Sequence, residues 1–237
     1  MRPVRDSKLS GLRRRNARVA VSSRGRSAPG KRARGLQRNE KLPFSPPEDW
    51  HEPEREEKAD PYDVCIIEQP AGKGFRHVVT IQDIRARLRQ LPAPFVAPLE
   101  VVQLSRMTTK KERFACYGMQ WGSAVYLYPL EADRVEHHGR PPKPSQVQEA
   151  EMYGGRWVQK TRHSWQLIWT ERAAKDFYLN NILIHEIGHL LDARNSRYLD
   201  RERYAEWFAV EHGYRASRPG RGGRRTSRRH NRRHHNS

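Results

Sequence analysis

The spacing of apolar positions changes several times between residues 63 and 214, and each change predicts an element. Ile81, Ile84, Leu88 and Leu91 recur at helical spacing behind Thr80, whose hydroxyl can cap the first turn; Pro92 and Pro94 end the run. The β-rich runs Val64 to Ile67, Val101 to Leu104, Phe114 to Tyr117 and Ala124 to Tyr128 predict strands, with Gly118 and Gly122 punctuating the last two. Residues 130–155 are polar and contain proline, which predicts a surface excursion. Arg156 to Lys160 and Trp165 to Trp169 predict a hairpin around Arg162 and His163. Thr170 then caps a long helix reaching about Ala193, with Glu171 favourably placed in its first turn. A second helix is expected from near Asp200 to Gly213. Mixed strands followed by two helices give an α+β layout.

The flanks read differently. Residues 1–41 hold fourteen Lys/Arg against two acids, with no aromatic residue. Too little apolar surface is present to offset the entropy of ordering, so a disordered basic tail is expected. Residues 42–62 are rich in proline and acid and read as an extended linker. Residues 215–237 hold nine Arg and no acid, and read as a second disordered tail. The middle, 42–214, carries 23 bases and 25 acids, so the formal net charge of +19 belongs to the ends. Organisation is therefore expected as tail, linker, one domain over 63–214, and tail.

No apolar run approaches the roughly 20 residues of a membrane helix, and no apolar stretch follows the N-terminal arginines as in a secretory signal. Cys65 and Cys116 are too few for a disulfide framework and lack CxxC spacing. They read as small core residues in a reducing cytoplasm.

The chemistry concentrates in Ile184-His185-Glu186-Ile187-Gly188-His189-Leu190-Leu191. Two histidines at i and i+4 lie one turn apart on one helix face and can bind one zinc. Glu186 is placed to reach a water beside that metal. The surrounding residues are apolar, and buried His and Glu need partners or a metal. A hydrolytic zinc site needs three protein ligands. The second helix offers Glu202, which shares a face with Ala205, Glu206 and Ala209. The two alanines and Gly188 would allow close approach. Glu202 is the expected third ligand, and Glu206 the carboxylate behind a histidine's far nitrogen. Tyr198, Tyr204, Tyr214 and His212 are candidate oxyanion donors.

The pair HEIGH and Glu202-Arg203-Tyr204-Ala205-Glu206 resembles the glutamate-zincin peptidases, nearest in flavour to the ImmA/IrrE-like intracellular peptidases. The likeness covers Phe177 to Tyr214. It implies a zincin-like domain that binds Zn2+ and hydrolyses peptide bonds in polypeptide substrates. In zincins a sheet-edge strand lines the cleft; Ala124 to Tyr128 or Trp165 to Trp169 are the candidates here. The connection is short, with Glu202 only thirteen positions after His189. The metzincin pattern wants Gly at 192 and His or Asp at 195, where this chain has Asp192 and Asn195. A SprT-like arrangement would draw on a later histidine, and His212 stays open as the alternative third ligand.

Two other functions stay open: a nucleic-acid-binding or regulatory protein with a metal-binding domain that cleaves nothing, and hydrolysis of another bond at the same site. In every case the tails are expected to bind nucleic acid or another polyanion through arginine, in a cytoplasmic or nucleoid setting. Their lack of aromatic residues argues against base readout. The chain should thus bind single- and double-stranded DNA without sequence preference, weakening steeply between about 50 and 200 mM salt. Deleting 1–41 and 215–237 should abolish that binding in a filter or anisotropy titration.

Overall fold

The computed structural model describes residues 50, 58–108, 111 and 116–218; the expected tail 1–41 lies outside the described residues. The architecture is mixed α+β, with small sheets and several helices.

Strand β1 (Cys65–Glu68) leads through the short β2 (Phe75–Arg76) into helix α1 (Ile81–Leu88). Thr80 caps α1 as expected: its Oγ1 accepts from Asp83 N at 3.2 Å, and Asp83 Oδ2 accepts from Thr80 N at 3.0 Å. A single turn α2 (Ala93–Val96) follows the proline, and β3 (Val101–Leu104) returns parallel to β1. Then come β4 (Gly118–Trp121) and β5 (Ala124–Leu127). Gly122 (φ +56°) starts their two-residue turn, a backbone conformation that suits glycine. Residues 114 and 115 of the expected strand Phe114 to Tyr117 lie outside the described residues, and the observed strand begins at Gly118.

The main sheet has the order β1-β3-β5-β4, with β4 antiparallel on the edge. Its side chains alternate as a pleat requires. Val102, Leu104, Val125 and Leu127 join the main core, while Val101, Ala124, Tyr126 and Tyr128 form a smaller cluster on the opposite face.

The stretch 130–155 is not the surface excursion its polarity suggests. It forms β6 (Leu130–Glu131), β7 (Val135–His138) and helix α3 (Pro144–Met152), and it buries Leu130, Glu136, Glu149, Ala150 and Tyr153. The buried acids are accommodated because they are hydrogen-bonded. Glu136, 1 % exposed, accepts from Tyr117 Oη at 2.7 and 2.8 Å and from Trp169 Nε1 at 2.8 Å. Glu149 accepts from Asn181 Nδ2 at 2.6 Å. The expected hairpin follows as β8 (Arg156–Thr161) and β9 (Ser164–Ile168), with β9 paired to β7 on its other side.

The long helix starts at its predicted cap, Thr170, whose Oγ1 accepts from Ala173 N at 3.1 Å. It comprises α4 (Glu171–Phe177), a π-helical turn (Tyr178–Ile182) and α5 (Leu183–Leu191). Helix α6 (Tyr198–Phe208) runs on into a second π-helical stretch (Ala209–Arg215). Leu183, Ile184 and Ile187 are fully buried, and α5 packs against β4, β5 and α6.

The fold extends slightly past both expected borders. Lys58 donates to the Leu99 carbonyl and Tyr62 Oη to that of Leu91 at 2.8 Å. Arg218 Nη2 donates to Asp176 Oδ2 at 2.6 Å, and its guanidinium lies 3.9 Å over the Tyr214 ring. Residues 219–237 lie outside the described residues. No helix among the described residues is long and apolar enough to cross a membrane.

The two π stretches abut. A Cβ on Gly213 would overlap the Asn180 carbonyl oxygen and come within 3.3 Å of Ile184 Cγ1. Gly213→Ala should therefore cost about 3 kcal/mol, as overpacking against fixed backbone does. Gly74→Ala, where φ is +83° but the space is open, should cost about 1 kcal/mol. Urea unfolding midpoints of the two variants measure the contrast.

Candidate metal centre

The apolar residues that bury α5 also bury its polar ones. His185 is 1 % exposed and Glu186 5 %. The imidazoles of His185 and His189 stand nearly perpendicular, 4.4 Å between centroids, as two histidines one turn apart should. Their Nε2 atoms face α6, where Glu202 presents its carboxylate. Oε2 lies 3.8 Å from His185 Nε2 and Oε1 3.5 Å from His189 Nε2. One ligand atom from each of the three residues lies within 4.8 Å of the others.

That convergence has a backbone cause. A Cβ on Gly188 would stand 3.0 Å from Ala205 Cα and 3.1 Å from Phe208 Cβ, so the helices touch where both residues are small. The short return is also built to fold. Asp192 Oδ1 accepts from Arg194 N at 3.3 Å and from Asn195 N at 3.1 Å, and its carboxylate also binds Asn195 Nδ2 at 3.0 Å. Arg201 Nη2 donates to the His189 carbonyl at 3.2 Å, a cation at a helix C-terminus. These turn residues are what lets Glu202 follow His189 by only thirteen positions.

Glu186 lies against the sheet. A Cβ on Gly118 would lie 3.1 Å from its Cγ, 3.2 Å from its Oε1 and 2.6 Å from Ile182 Cγ2. Only a glycine at the start of β4 lets the strand approach this carboxylate so closely. Both edge-strand candidates from the sequence are corrected by this arrangement. Ala124–Leu127 is paired on both sides, by β3 and β4, and Ser164–Ile168 is paired by β7 and β8. The edge beside the candidate centre is β4. The one sequence signal for it was the lone glycine between Tyr117 and Met119.

No family model, curated protein or solved structure matches this chain.

The remaining candidates sort by position. Tyr198 opens α6 one turn before Glu202, on the same face. Tyr204 packs its ring 5.6 Å from that of Trp207 and 6.2 Å from that of Phe208. Glu206 is half-buried one turn after Glu202. His185 Nδ1 is buried without a hydrogen bond, so the carboxylate expected behind a histidine's far nitrogen does not stand behind this one. His212 is not part of the His185–His189–Glu202 cluster: its ring is 4.5 Å from that of Phe208 and 4.8 Å from that of Phe95, inside an aromatic cluster. Tyr214 lies against Tyr153 and Arg218.

Burial holds the His212 imidazole below the usual histidine range. Arg87 adds to the effect and Glu211 opposes it. The unfolded chain then binds the proton more readily than the fold. Stability should fall as pH drops through the unfolded histidine value, about 6.5. His212→Phe keeps the ring packing and removes the titration. Its urea midpoint should decline less than wild type between about pH 7.5 and 5.5.

Proposed function

We propose that this chain is a zinc-dependent metallopeptidase of the glutamate-zincin kind, with His185, His189 and Glu202 as ligands and Glu186 as the proton carrier. The observation that carries the reading is the meeting of two Nε2 atoms and one carboxylate across the α5–α6 contact. The separations of 3.5 and 3.8 Å exceed a direct hydrogen bond. They approach the edge of a coordination tetrahedron with ligands about 2.1 Å from its centre, about 3.4 Å. Two imidazoles and a carboxylate are also the donor set of hydrolytic zinc sites, which keep a fourth position open.

Zinc at this position supplies Lewis acidity, polarising a carbonyl and lowering the pKa of water to about 7. The protein's part is positioning and proton movement. Glu186, beside the first ligand and held against Gly118, takes the proton from the attacking water and delivers it to the departing amine nitrogen. The free edge of β4 offers backbone groups to an extended polypeptide, aligning it past Glu186 as an added strand. Tyr198, on the Glu202 face, is the donor suggested for the carbonyl oxygen as it gains charge. The basic ends, about +12 and +9 by residue count, would keep the enzyme on a polyanion such as nucleic acid.

Purified protein should bind one zinc per chain, and zinc at about 100-fold over its Kd should add roughly 2.7 kcal/mol of stability. His185→Ala or Glu202→Ala should lose that metal. Glu186→Gln should retain it while cleavage of an unfolded protein substrate drops about a thousand-fold. Zinc bound without cleavage of any peptide library would favour the second reading, a polyanion-binding protein whose metal is structural. The charged ends are what keeps that reading open.

A further inference from the structure

We propose that Lys111 and Cys116 form a thiol–amine pair that a hydroperoxide converts into a covalent sulfur–nitrogen cross-link. The pair includes none of the candidate metal ligands and does not rest on the peptidase reading.

Lys111 is 5 % exposed, unusual for a lysine. Its Nζ lies 3.3 Å from Cys116 Sγ and 4.1 Å from the centroid of the Tyr128 ring. Among the described residues no carboxylate faces this ammonium. A buried cation favours an anion at contact distance, and the thiol beside it is the group that can become one. The aromatic face of Tyr128 stabilises the cation without taking its proton. Cys116 itself is half-buried rather than sealed in the core. Cys65, the other cysteine, is exposed, and of the two it is Cys116 that Lys111 contacts.

The chemistry balances in two steps. The Cys116 thiolate attacks the outer peroxide oxygen; the S–O bond forms, the O–O bond breaks, and the alkoxide or hydroxide leaves. That leaving group takes a proton from the Lys111 ammonium, giving sulfenic acid, neutral amine and alcohol or water. Sulfur has lost two electrons and the peroxide has gained them. The Lys111 nitrogen, already in contact, then attacks sulfur; the S–N bond forms, the S–O bond breaks and water departs. Sulfenic acids are known to condense with nitrogen in this way, and thiols reverse the product. The bridge would fix Cys116 two residues ahead of Gly118, at the root of the strand that touches Glu186.

The test uses the full chain, stripped of metal with a chelator, and equimolar hydrogen peroxide. Mass spectrometry of a non-reduced digest should show a Lys111–Cys116 peptide pair lighter than its parts by two hydrogens, lost on adding dithiothreitol. In untreated protein, iodoacetamide at neutral pH should alkylate Cys116 on the order of ten-fold more slowly in Lys111→Met than in wild type. Lys111→Arg keeps the cation but offers no neutral amine. It should preserve fast alkylation and lose the cross-link, which separates charge from nucleophile and controls for folding. Oxidation that stops at sulfenic or sulfinic acid on Cys116 would overturn the proposal. So would oxidation confined to Cys65, or alkylation unchanged in Lys111→Met.

Discussion

Everything chemical in this fold depends on how closely α5 and α6 approach. Gly188 and Ala205 set that distance, and no side chain on Gly188 could be inserted without moving Ala205 or Phe208. One helix contributes two imidazoles on a single turn. The other must present its carboxylate within a few ångströms of both, and an ordinary helix separation of 8–10 Å with large side chains between would leave it short. The contact is local, but it is braced at the turn by Asp192 and Arg201, which tie the end of α5 to the start of α6. A short connection is thus an asset, because it leaves Glu202 little freedom to wander from His189.

The second constraint comes from the sheet. Glu186 belongs to the same helix turn as the histidines but faces another neighbour, the first residue of β4. Two glycines therefore divide the labour. Gly188 admits the helix that completes the donor set, and Gly118 admits the strand that holds the remaining carboxylate. Among the described residues the strand it admits is an edge, with no strand paired on its outer side. The Glu186 carboxylate thus lies between the histidine-bearing helix turn and the edge strand of the sheet.

How much of this was readable in advance follows from the range of each signal. His185, Glu186 and His189 are fixed by helical period alone, and Glu202 by the face it shares with Ala205, so spacing was enough. The caps at Thr80 and Thr170 were legible for the same reason. The edge strand was not. Strand signals grow with apolar content, and apolar content is highest in strands covered on both sides. Ala124 to Tyr128 therefore carries the stronger signal, its strand Ala124–Leu127 being buried throughout, while Gly118–Trp121 is half-buried throughout. Residues 130–155 misled by the converse route. Glu136 and Glu149 look like surface acids until their donors, Tyr117, Trp169 and Asn181, arrive from distant parts of the chain.

The orientation of the two imidazoles has one further source that no hydropathy pattern displays. A π-helical turn takes an extra residue relative to the α register, and in an α-helix each residue turns the face by about 100°. Tyr178–Ile182 therefore sets which way His185 and His189 point relative to the buried face of α4. That turn is held from outside. Tyr153 Oη donates to the Asn180 carbonyl at 3.1 Å, and Gly213 of the second π stretch sits against the same carbonyl. Arg87, 5 % exposed, donates to Asn180 Oδ1 at 2.7 Å and to the His212 carbonyl at 2.6 Å, stapling both stretches to α1. The aim of the two imidazoles toward Glu202 thus rests on a buried arginine almost a hundred residues upstream. A helix read in isolation as regular from Thr170 onward would turn the same motif toward a different neighbour.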